Sequence, residues 1–80
     1  MKLILTGLAL FAAPAAFAQA TPEQLAQIDT LLAAEQCEVD HANVEVEDGG
    51  GFDLDDVMCA DGQYDIKLGA DMAIAERRKE

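Results

Sequence analysis

The stretch Asp61-Gly62-Gln63-Tyr64-Asp65-Ile66-Lys67-Leu68-Gly69-Ala70-Asp71 decides the fold. Tyr64, Ile66 and Leu68 alternate with Gln63, Asp65 and Lys67. That period of two places apolar side chains on one face of a strand and polar ones on the other. Ala60-Asp61-Gly62 before it and Gly69-Ala70-Asp71 after it read as turns, because Gly and Asp accept the backbone angles of tight reversals. A half-buried strand between two reversals belongs to an antiparallel sheet with one face for the core and one for water.

Upstream, Phe52 and Leu54 alternate with Asp53 and Asp55, and then Val57 and Cys59 continue on the opposite parity. A phase slip of one residue, here at Asp55-Asp56, is how a β-bulge looks in sequence. Asp48-Gly49-Gly50-Gly51 cannot be helix interior and reads as a hairpin turn or loop. Before it, Val39, Val44 and Val46 lie in an acid-rich segment expected to be extended, with His41 inside it. Downstream, Met72 to Ala75 is expected as a short last strand, and Glu76-Arg77-Arg78-Lys79-Glu80 as a charged, fraying tail.

Thr21-Pro22-Glu23-Gln24 is a helix start: Thr21 caps, Pro22 suits the first helical position, and Gln24 completes a capping box. Leu25, Ile28 and Leu32 follow at helical spacing, which predicts a helix from about Pro22 to Gln36. Its apolar stripe is the one cover available for the apolar face of the sheet. The expected fold class is therefore α+β, one N-terminal helix packed on a three- to four-stranded antiparallel β-meander in two layers.

Residues 1–18 have the form of a secretory signal: Met-Lys, an apolar run from Leu3 to Ala13, and Ala16-Phe17-Ala18 as the cleavage site. Ala18-Gln19-Ala20 offers the alternative, a leader of residues 1–20. The run is shorter than the roughly 18 apolar residues that a membrane span needs. The expectation is a cleaved leader, no membrane span thereafter, and a single domain over residues 19–80 in the periplasm or the medium. Two cysteines remain, Cys37 and Cys59. In an oxidising compartment an even count in a small domain reads as a disulfide, with one connectivity possible.

Sixteen Asp and Glu stand against five Lys and Arg, for a net charge of −11 and an isoelectric point near 4.1. Without Lys2 of the leader, four bases face sixteen acids, a net −12. Nucleic acid recognition needs a basic footprint and is disfavoured, as is an anionic membrane surface. The same surplus opposes close self-association, so the chain is expected to be monomeric.

Taken together, the helix, the acidic strand ending Glu45-Val46-Glu47-Asp48-Gly49-Gly50, the strand starting Phe52-Asp53-Leu54, then Asp61-Gly62-Gln63-Tyr64-Asp65-Ile66-Lys67-Leu68 and a closing Ala-Asp turn resemble the PepSY family over about residues 22–79. The family's last hairpin often carries a Gly before the final strand, where this chain has Met72. The resemblance implies a small secreted or envelope module of one helix and an antiparallel sheet. Members occur in propeptides of secreted metallopeptidases and are thought to restrain peptidases. The family pattern holds no catalytic residue, so none carries over.

The side chains agree with a non-enzymatic protein. Nucleophilic catalysis needs Ser, Cys or Thr beside a base; residues 19–80 contain no Ser, both cysteines are expected to be oxidised, and His41 has no partner motif. No cofactor is implied. Asp48, Asp53, Asp55 and Asp56 surround a flexible loop with oxygen ligands of the kind calcium takes. Their spacing is neither an EF-hand nor a calcium-binding repeat. Two functional expectations follow. The first is an exported module that binds or restrains an envelope protein, a peptidase among the candidates. The alternative is an acidic divalent-cation (calcium) binding protein using those four aspartates.

Overall fold

The computed structural model describes residues 19–80; the expected leader, residues 1–18, lies outside the described residues. Helix α1 spans Pro22–Ala34 and starts as expected. The Thr21 hydroxyl accepts from the Gln24 backbone N–H at 3.1 Å, and the Gln24 side chain returns to the Thr21 N–H at 2.9 Å. Two of the donors that every helix start leaves open are thereby satisfied. Gln36, at φ 60, takes the left-handed conformation that ends a helix. Among the described residues no helix is long and apolar enough to cross a membrane.

The chain then forms β1 (Cys37–Glu38), a single 3-10 turn (His41–Asn43), β2 (Val44–Val46), β3 (Phe52–Cys59), β4 (Gly62–Leu68) and β5 (Ile74–Lys79). All pairings are antiparallel, and the sheet runs β1-β3-β4-β5 with β2 also against β3. In effect β1 and β2 are two pieces of one outer strand. The expected extended segment is broken because the Asp40 side chain caps the 3-10 turn, accepting from the Ala42 N–H at 3.0 Å. His41 therefore sits in a turn and not in a strand.

The phase slip is a bulge. Leu54 pairs with Ile66 and Val57 with Tyr64, which leaves Asp55 and Asp56 facing one residue of β4. Asp56 absorbs the extra residue at φ 55, a conformation that Asp tolerates better than most side chains. The β2–β3 hairpin closes through Glu47 N–H to the Gly51 carbonyl at 2.8 Å. Only glycine fits at 51, since a Cβ there would stand 2.5 Å from the Leu68 carbonyl oxygen.

The expected ending is corrected. Met72 lies in a turn at φ 66, and the last strand is Ile74–Lys79, so the charged tail is itself the edge strand β5. Cross-strand charge supplies the reason: Asp65 opposes Arg78 and Lys67 opposes Glu76. The Arg77 guanidinium also lies over the Tyr64 ring, 4.3 Å from its centroid.

Ile28 and Leu32 of α1 meet Phe52, Leu54, Val57, Tyr64, Ile66 and Leu68 on one sheet face, with Cys37 and Val39 at the margin. Leu25, expected on the same stripe, is only half-buried. Among the described residues the buried set is wholly apolar, so the core requires no internal polar partner. The disulfide joins Cys37 to Cys59, which are directly opposed across the β1–β3 pair. It ties the exit of the helix to the end of β3.

Candidate functional site

With α1 on one face, the polar positions of the strands form the other, and they carry most of the sheet's charge. Register places Glu45 opposite Asp53, Asp53 opposite Lys67, and Lys67 opposite Glu76. Beside this row, Asp65 opposes Arg78, and the bulge brings Asp55 and Asp56 up to Asp65. Among the described residues the bases of this face are paired: Lys67 Nζ lies 3.5 Å from Asp53, and Arg78 lies 3.4 Å from Asp65 and 3.1 Å from Glu76. What remains is a surplus of carboxylates on a sheet face open to solvent.

Those carboxylates gather in two groups. Glu45, Glu47 and Asp53 each bring an oxygen within 4.8 Å of the others, at the β2 edge. Asp56, Asp65 and Glu80 do the same at the bulge. The four aspartates named from sequence are thus divided: Asp53 joins the first group, Asp56 the second, and Asp48 and Asp55 belong to neither. Sequence reading passed over Glu45, Glu47, Asp65 and Glu80. The parity of Glu45 and Glu47 in the acidic strand was the available signal, but it needs the β2–β3 register to be put beside Asp53.

Crowding is felt in protonation. Desolvation and the charges of Asp53, Asp65, Glu45 and Asp56 hold the Asp55 carboxyl above its usual value. Glu80, hydrogen-bonded with Asp65 and beside Asp56, is pushed up to about 7. Asp65 goes the other way, lowered first by its hydrogen bond with Glu80 and then by the Asp56 N–H and Arg78. The Gln63 amide donates to Asp56 at 2.8 Å and to Glu80 at 3.3 Å, lacing β3, β4 and the chain beyond β5 together.

The remaining candidates for chemistry are engaged in structure. His41 Nε2 lies 2.8 Å from Asp29 on α1, an exposed pair that fastens the 3-10 turn to the helix. The Thr30 hydroxyl donates to the Ala26 carbonyl one turn back. Tyr64 donates to Asp61 at 2.8 Å, which lowers the Asp61 carboxyl. Arg77 bridges Glu35 and Asp61 at 3.4 and 3.8 Å over that ring. Beside the disulfide, a shallow hollow is lined by Ala33, Gln36, Glu38 and Met58, and among the described residues Met58 is the large apolar side chain left exposed, at 51%.

No family model, no curated protein and no solved structure matches this chain.

Proposed function

We propose that the chain is an exported, non-enzymatic module that binds or restrains another envelope protein, a peptidase among the candidates, by presenting the acidic sheet face to a basic partner surface. The observation that carries this reading is the open face itself: one side of the sheet is covered by α1, while the other bears unneutralised carboxylates in a fixed register. Fixed like charges steer a complementary partner and suppress wrong ones. The engagement of both cysteines with each other, and of His41 with Asp29, supports a binding role over catalysis. Export and the PepSY-like assignment rest on the sequence patterns of residues 1–18 and 22–79.

Crosslinked capture from envelope extract tests the reading when the wild-type chain is run beside a variant carrying Glu45→Gln, Asp53→Asn and Asp55→Asn. A partner recovered by the first and lost by the second, and released as salt rises, is the expected result. Equal recovery by both chains sinks the acidic-face mechanism.

The gathering of Glu45, Glu47 and Asp53 favours a second reading, weak binding of a divalent cation such as calcium, which takes carboxylate oxygens. Calorimetric titration with calcium separates the two. A 1:1 isotherm abolished by Asp53→Asn with Glu45→Gln selects the cation.

A further inference from the structure

Among the described residues the sheet has two free edges, and charge sorts them. β5 presents Arg77, Arg78 and Lys79 in succession, whereas β2 presents Glu45, followed by Glu47. Bases on an edge strand discourage pairing with a further basic strand. At β2 the arrangement is reversed: Glu45, Glu47 and Asp53 hold carboxylate oxygens within 4.8 Å of one another, and the nearest base on that row, Lys67, is already on Asp53.

The backbone of β2 is oriented for pairing. Glu47 donates its N–H to Gly51, so in the alternation of an antiparallel pair Glu45 and Glu47 turn their backbone groups toward β3. Val44 and Val46 turn theirs outward. The Val44 N–H is taken by the His41 carbonyl, which leaves the Val44 carbonyl and both backbone groups of Val46 directed away from the sheet. A strand added there would lie about 4.8 Å from β2. Its alternate side chains would fall beside Glu45 on the acidic face and beside Val44 and Val46 on the helix side.

We propose that β2 is a docking edge for an extended, basic segment of the partner protein, one in which Lys or Arg alternates with apolar residues. This rests on the proposed acidic-face reading and names the partner segment it would receive. Main-chain hydrogen bonds supply the attachment and the alternating side chains the selectivity. Because β2 is three residues long, the ordered contact is short and depends on charge.

The probe is a capped synthetic heptapeptide of alternating lysine and valine, titrated into the isotopically labelled, disulfide-bonded chain at low salt. Two control peptides accompany it: one with glutamate for lysine, and one methylated on alternate backbone nitrogens, which keeps the charge and removes the donors. The expected result is saturable amide shifts centred on Val44–Glu47 and Asp53. Affinity is expected to fall about tenfold or more for the methylated peptide, and for the Glu45→Gln/Glu47→Gln variant. Lys79→Ala, on the far edge, is expected to leave affinity unchanged. Equal affinity for the methylated peptide, or shifts centred on Asp65 and Glu76, overturns the edge and leaves acidic-face docking standing. No binding of the lysine peptide overturns both.

Discussion

Reduction of the Cys37–Cys59 disulfide is the perturbation whose size follows most directly from the structure. The bridge spans 22 residues of sequence. In the chain-entropy account, closing a loop of that length restricts the unfolded ensemble by about 3 kcal/mol. The native side of the balance changes little. The two residues are directly opposed in a strand pair, with Cα atoms 3.9 Å apart, so paired backbone holds the thiols near their oxidised positions. Total stability for a domain of this size is roughly 3–9 kcal/mol, which makes the bridge a large fraction of it. Urea unfolding followed by far-ultraviolet circular dichroism, with and without a phosphine reductant, measures the difference. With a slope of about 1 kcal/mol per molar urea, the midpoint is expected to fall by about 3 M. The thermal midpoint is expected to fall by roughly 12–24 °C. A reduced chain within about 1 kcal/mol of the oxidised one refutes the loop-closure reasoning.

Ile66→Ala removes a fully buried side chain from the centre of the sheet and is expected to cost about 2–5 kcal/mol in chemical denaturation. Gln36→Gly relieves a left-handed φ of 60 at an exposed position past the helix, with an expected gain of about 0.5–1 kcal/mol by the same measurement. Glu80 is expected to titrate near 7 by carboxyl-carbon NMR, and to move down in Asp65→Asn. The sign follows from that upward shift. The fold favours protonated Glu80, so its contribution is complete below the usual 4.5 and is lost as pH rises to about 7. Asp65, which is lowered, contributes above its usual 3.8 and loses that contribution as pH falls.

Local signals carried well where one face of an element decides its position. Thr21 and Gln24 announced the helix because a capping box is written within four residues. The parity change between Leu54 and Val57 announced the bulge because core-facing residues must return to the same side. Where side chains gave no alternation, the reading failed. Ile74-Ala-Glu-Arg-Arg-Lys79 has no apolar period, and its strand identity comes from Asp65, Lys67 and Tyr64 on the neighbouring strand. The break between β1 and β2 was legible in principle from the Asp40 cap, but Val39, Val44 and Val46 masked it. The acidic site is half-legible in sequence: the aspartates near the glycine loop stand together in the string, and their partners across strands do not.

Chain chemistry alone determined that one helix covers one antiparallel sheet, that Cys37 and Cys59 are the residues of a disulfide, and that the surface is acidic, because periodicity, cysteine count and charge are properties of the string. Tertiary structure decided which acids meet. Glu45 and Glu47 reach Asp53, and Asp56 and Asp65 reach Glu80, only through strand register and the bulge. It also decided that the two sheet edges carry opposite charge, since an edge exists only once the strand order is set.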